Sequence, residues 1–150
     1  MNTWTKTANY AKYRGYHSTA VLLPDGRVVS AGSTNPTSEP NAEVYSPPYL
    51  FKGTRPTISS APATVGYSQT FFVGTPNATS ITKAAWVRVS SVTHTNNMDQ
   101  RYLRLNFTQA TGGLNVTSPA SRNLSPPGPY MLFLLNGSGV PSVAKVVTIR

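Results

Sequence analysis

The sequence predicts an all-β protein, an immunoglobulin-like β-sandwich preceded by a separate, smaller β segment. Three observations lead there. Short runs of strand-favouring residues recur between turn residues, at intervals too brief for helices. Charged residues, which helices favour, make up only 11% of the 150 residues, against 11 Gly, 13 Pro and abundant Ser and Thr. No stretch carries a convincing amphipathic helical period.

Taken in order, His17 to Leu23 reads as a strand, Pro24-Asp25-Gly26 as a tight turn, and Arg27 to Ala31 as the returning arm of a hairpin. Residues 32–41 form a polar loop, and Ala42 to Tyr45 a third strand. Ser46-Pro47-Pro48 stops that strand because proline cannot donate to a ladder, and Lys52 to Pro56 is a linker. Beyond it, strands are expected at about 57–59, 69–73, 83–90, 101–107, 114–118, 129–135 and 143–149. The 101–107 run alternates most clearly, with Leu103, Leu105 and Phe107 on one face and Tyr102, Arg104 and Asn106 on the other. Seven short strands in about ninety residues is the count of an immunoglobulin-like sandwich. The first fifty residues cannot bury both faces of a lone hairpin, so Trp4, Tyr10, Tyr13, Val21 and Leu23 need a neighbour.

Composition closes off several kinds of chemistry. With no cysteine there is no disulfide framework, zinc–thiolate site, iron–sulfur cluster or cysteine nucleophile. The net charge of +9 raises nucleic acid as a partner, yet the basic residues are scattered from Lys6 to Arg150, so a solvated surface poor in carboxylates accounts for them. The longest apolar run, Tyr130 to Leu135, is far too short to cross a bilayer as a helix. The first six residues lack the apolar stretch of a signal peptide, and none is expected on this chain. Neither a nucleophile elbow nor a phosphate-binding glycine loop occurs. A Ser-His-Asp arrangement could be drawn only by pairing His94 with Asp99 or Asp25, and Asp25 in its turn and Glu39 and Glu43 in a proline-rich stretch suit structural roles better than a glycosidase cleft. Sequons include those at Asn77, Asn106, Asn115 and Asn136, with the one at Asn35 blocked by Pro36; of these, Asn106, inside an expected strand, is the least suited to carry a glycan.

What chemistry remains rests on two histidines, His17 and His94, and on Tyr16 beside the first. Two imidazoles with a phenol suit a copper ion, which takes nitrogen and phenolate donors. Their separation in sequence is no motif, and exposed or hydrogen-bonded histidines are the plainer alternative. Adjacent residues in a strand also point to opposite faces, so Tyr16 and His17 can share an ion only where a strand begins or bulges. Gly15 just before them allows such an irregular start.

Arg14-Gly15-Tyr16-His17-Ser18 and Leu22-Leu23-Pro24-Asp25-Gly26-Arg27-Val28 resemble the last propeller blade of the galactose oxidase and glyoxal oxidase family of copper-radical oxidases. Glu43-Val44-Tyr45-Ser46-Pro47-Pro48-Tyr49-Leu50, Lys83-Ala84-Ala85-Trp86-Val87, Thr93-His94-Thr95, Asp99-Gln100-Arg101, Pro127-Gly128-Pro129-Tyr130-Met131-Leu132-Phe133 and Gly139-Val140-Pro141-Ser142 continue the likeness in order. It implies a partial kelch-type propeller blade over residues 1–52 and an early-set immunoglobulin-like domain over 53–150. By the same resemblance Tyr16 corresponds to the axial tyrosine that takes the alcohol proton, and His17 and His94 to the two histidine ligands of copper. The family's tyrosine–cysteine radical cofactor has no counterpart here, because the chain has no cysteine.

The resemblance therefore implies the C-terminal portion of an extracellular oxidase that turns primary alcohols or aldehydes, with dioxygen, into oxidised product and hydrogen peroxide. Such a portion, inactive by itself, expects the absent propeller blades as partner, a small alcohol, aldehyde or carbohydrate as the parent's substrate, and no membrane. An uncovered blade edge would invite self-association. The alternative is a non-catalytic sandwich that holds a glycan or a protein. A nucleic-acid binder would show a steep salt dependence of affinity.

Overall fold

Thirteen strands and two short 3₁₀ turns, Pro48–Phe51 and Ala78–Ser80, make up the regular structure of this computed structural model, which describes residues 3–34 and 38–150. The blocked sequon at Asn35 and part of the 32–41 loop lie outside the described residues. Strands β1 (Thr19–Leu22), β2 (Val28–Ala31) and β3 (Ala42–Tyr45) form an antiparallel sheet of that order. The hairpin turn between β1 and β2 closes as expected: Asp25 accepts the Arg27 amide at 3.0 Å, and Gly26 sits at φ +82°. Gly26 has a second reason to be glycine, since a Cβ there would meet Leu50 and Pro141 side chains at 3.3 and 3.4 Å.

The sandwich follows. One sheet has the order β4-β13-β12-β6-β9, built from Thr64–Val65, Lys145–Ile149, Gly128–Asn136, Ile81–Arg88 and Tyr102–Leu105. The other has the order β10-β11-β5, built from Phe107–Ala110, Gly113–Thr117 and Thr70–Gly74. Only β4 against β13 is parallel. Between them lies the core: Trp86, Tyr130, Leu132 and Leu134 from the larger sheet meet Phe71, Val73, Leu114 and Val116 from the smaller. Trp86 is stacked between Phe71 and Tyr130, with ring centres 6.0 and 5.3 Å away.

The structure corrects the expected elements in three places. The 101–107 run is not one strand: it breaks at Asn106, where the chain leaves β9 in one sheet and starts β10 in the other. The alternation survives the break, because Leu103, Leu105 and Phe107 all pack on the core that both sheets share. Asn106 is thus an exposed corner rather than a strand interior. If the chain is carried through a glycosylating secretory route, Asn106 is expected to carry the glycan, read as a glycosidase-sensitive mass on its peptide. Asn136, whose Nδ2 donates to the Thr54 carbonyl and whose Oδ1 accepts the amides of Ser138 and Val140, is expected to stay bare. The expected strand at 57–59 is absent; the neighbouring Ser60 makes only a bridge to Gly74, and the true edge strand is the two-residue β4. A further hairpin, β7 (Val92–Thr93) with β8 (Asn96–Asn97), was not expected.

The larger sheet is apolar on both faces. Ala85, Met131 and Phe133 are nearly fully buried although they alternate with the core residues. The N-terminal segment covers Ala85 and Phe133. Leu22, Gly26 and Tyr49 face Ala85, Phe133, Leu135 and Pro141 across an apolar cavity of about 160 Å³. Polar contacts close the seam: the Ala144 amide donates to Pro24 carbonyl at 2.8 Å, and the Arg55 guanidinium donates to the carbonyl of Asp25. Val21 and Leu23 are half-buried, whereas Trp4, Tyr10 and Tyr13 stay largely exposed.

Candidate metal centre

Tyr16 and His17 occupy the two central positions of a tight turn that Ser18 closes, its amide donating to Gly15 carbonyl at 3.1 Å. His17 lies at φ 62°, a left-handed conformation uncommon outside glycine. Strand β1 begins only at Thr19, so the opposite-face rule of a strand does not apply to the pair. Their rings sit edge to face, 4.0 Å between centres.

His94 comes from the sandwich. It and Thr95 are the central residues of the β7–β8 hairpin, at φ 52° and 65°, the turn geometry that suits right-twisted strands and normally calls for Asn-Gly. Strand β7 packs beside β1. The His94 ring therefore lies 4.5 Å from that of His17 and 5.6 Å from that of Tyr16, centre to centre. All three side chains are exposed. In the tautomer that leaves the His94 Nε2 lone pair free, Nδ1–H donates to the Thr93 hydroxyl oxygen at 2.7 Å.

A polar cluster supports the Tyr16–His17 turn. Arg14, whose side chain is 3% exposed, donates to the carbonyls of Gly32 and Asn41, to Asn41 Oδ1, and to Glu43 Oε1 at 2.9 Å. Glu43 in turn accepts the amides of Ala11 and Lys12 at 2.8 and 3.2 Å. These bonds, the Ala11 amide foremost, hold the Glu43 carboxyl below its ordinary range despite the opposing effect of burial. A lowered carboxyl stabilises the fold at pH values above the ordinary glutamate range, and that contribution fades as the pH falls through the lowered value. Acidification is therefore expected to release residues 10–14, seen as faster amide exchange at Ala11 and Lys12, and Glu43→Gln should reproduce the release at neutral pH.

The donor set suits copper. Two imidazoles and a phenol converge on one patch from two separate sheets, and these are donors that Cu(II) accepts. Among the described residues no three His, Cys, Asp or Glu side chains gather, so a three-donor site here needs the tyrosine. Asp99 is not a partner of His94: its Oδ1 accepts Arg88 Nε at 2.9 Å. Asp25 is likewise occupied by its own turn, bonded to Arg27. Sequence reasoning overlooked Arg14 and Thr93, which hold the site; their nearness in sequence to Tyr16 and His94 was the available signal.

Residues 55–149 match the galactose oxidase-like early set domain family. The chain belongs to that family. Along 99% of its length it is 35% identical to a galactose oxidase of Gibberella zeae, of which it spans 23%. It is 35% identical to an aldehyde oxidase of Vitis pseudoreticulata, matched over 91% of this chain and 30% of that protein. A fungal alcohol oxidase solved in complex with copper superposes on 99% of the chain and 34% of its own, with a TM-score of 0.89 and 30% identity. The chain thus spans about a quarter to a third of these oxidases, and it holds the early-set domain together with the N-terminal sheet that packs on it.

Proposed function

We propose that this chain is the C-terminal portion of a copper-dependent oxidase of primary alcohols or aldehydes, contributing Tyr16, His17 and His94 to the metal. The observation that carries the reading is the meeting of these three rings, two from the N-terminal turn and one from the early-set domain. Residues 1–52 are read as part of a kelch-type propeller blade and 53–150 as the early-set domain. The relatives named galactose oxidase and aldehyde oxidase, and the copper-bound alcohol oxidase, support this assignment.

When bound, copper with its radical partner supplies the one-electron chemistry that oxidises the substrate and passes electrons to dioxygen, giving hydrogen peroxide. His17 and His94 would hold the ion. The Tyr16 oxygen would take the proton of the substrate hydroxyl; its position beside His17 in one turn fixes that oxygen relative to the imidazole. The radical-bearing tyrosine–cysteine pair belongs to blades beyond this sequence, since the chain contains no cysteine. The 150 residues alone are therefore expected to bind metal without turnover, and the parent is expected to work outside the cell.

Titrating the purified chain with Cu(II) under EPR tests the reading. One equivalent bound with two nitrogen donors supports it. No stoichiometric binding overturns the claim that the half-site is preformed on these residues.

A further inference from the structure

The hairpin that carries His94 has little of its own to hold it. Its ladder is two residue pairs, Val92 with Asn97 and Thr93 with Asn96, extended by a single bond from the Met98 amide to the Ser91 carbonyl at 2.8 Å, and a hairpin so short is marginal in water. Both residues of its turn sit at positive φ without being glycine, which opposes the conformation further. Most of its side chains are exposed, so apolar burial does not fix it either.

A polar relay does. At its inner end stands Arg88, the last residue of β6, whose side chain is 16% exposed. Its Nη1 donates to the carbonyls of Pro126 and Pro127 at 2.8 and 3.1 Å and to the Tyr130 hydroxyl at 3.2 Å, and the guanidinium lies 5.4 Å from the centre of the Tyr130 ring. Arg88 is thereby tied to the core. Its Nε donates to Asp99 Oδ1 at 2.9 Å. The Asp99 amide donates to Asn97 Oδ1 at 3.1 Å, the same oxygen accepts the Ser91 amide at 3.2 Å, and Asn97 Nδ2 donates to Ser90 Oγ at 3.1 Å. Asn97 thus binds one leg of the hairpin to the other, three residues from His94.

We propose that the Arg88–Asp99 ion pair, acting through Asn97, is the positioning element that holds His94 against His17 in its metal-ready place. Neither Arg88 nor Asp99 touches the three rings; they act through the hairpin. An isolated ion pair at a surface contributes little to stability, but this one joins a half-exposed carboxylate to a guanidinium already immobilised by three other acceptors. Its effect is to restrict one turn rather than to hold the domain together. The inference deepens the copper reading above and rests on it for the metal, though not for the order of the hairpin.

The test compares Asp99→Asn, Asn97→Ala and Asp99→Glu with the parent chain by three measurements: melting temperature, amide exchange across residues 92–98, and Cu(II) titration read by EPR. Removing the carboxylate also removes a negative charge near the cation. Asn97→Ala cuts the relay with no change of charge, and it also serves if Asp99→Asn fails to fold. Expected for Asp99→Asn and Asn97→Ala are a melting temperature within a few degrees of the parent, exchange in the hairpin at least about 10-fold faster, and copper affinity about 10- to 100-fold weaker, the usual cost of losing a group that orients a ligand. One of the two nitrogen donors should also fade from the spectrum. Asp99→Glu, which keeps the charge, should recover part of both. Exchange, affinity and spectrum all unchanged in Asn97→Ala would overturn the proposal. If the parent chain itself takes no copper, the functional reading fails, and unchanged hairpin exchange in the variants would then overturn this inference separately.

Discussion

Replacing His94 by glycine is expected to weaken Cu(II) binding by roughly 100-fold or more while leaving the fold almost as stable as before. The two halves of that result have different causes. Two imidazoles with ring centres 4.5 Å apart would act as one chelate, the second donor binding at a high effective concentration, and removing either would forfeit about 10²- to 10⁴-fold. Stability is spared because His94 sits at φ 52°, where a side chain is strained by about 1–2 kcal/mol and glycine is not. Against that relief stands the greater unfolded-state freedom of glycine, about 0.5–1 kcal/mol, so the two nearly cancel. The same holds for His17→Gly at φ 62°. A calorimetric melt beside an EPR titration reads both. A variant that melts as the parent does and still binds copper with two nitrogens would remove that histidine from the site.

Trp86→Ala should have the opposite profile, a large loss of stability. Trp86 is completely buried, stacked between Phe71 and Tyr130 at the middle of β6. Emptying that volume is expected to cost about 3–5 kcal/mol, a large part of the stability of a domain this size, with a fall in melting temperature of roughly 10–20 °C. Trp86→Phe should cost distinctly less. Its indole Nε1 is buried with no hydrogen-bond partner among the described residues, so phenylalanine loses ring area and also removes an unsatisfied donor. Equal melting temperatures for the alanine and phenylalanine variants would contradict this account of the core.

How much of this was legible in the sequence depends on what held each element in place. Strand β3 falls at 42–45 as expected because Pro47 and Pro48 end it by local chemistry alone. The hairpin at 24–26 is likewise written in Asp25 and Gly26. The break at Asn106 was not legible, since apolar alternation continues across it and only the topology reveals that two sheets share one core. The β7–β8 hairpin escaped notice because four residues carry no hydrophobic rhythm; its bonds run through the Asn97 side chain and through Asp99, whose carboxylate accepts Arg88, contacts that propensity does not weigh. Spacing alone said little about Tyr16, His17 and His94. Their grouping was expected only from the family resemblance, and the rings meet in the structure because a turn precedes β1 where a strand would have separated them.

The docking of the N-terminal sheet on the back of the sandwich has one more consequence. His17 hangs from one body and His94 from the other, so the gap between the imidazoles is a measure of how the two bodies are seated. The seam of Leu22, Gly26, Tyr49, Phe133 and Pro141 lies apart from the rings, yet it would work like the pivot of a pair of calipers. Filling or emptying its cavity would open or close the jaws with both histidines left as they are. In such a molecule the spacing of the two imidazoles can be retuned by drift in plain hydrophobic packing, out of sight of any comparison confined to the two histidines.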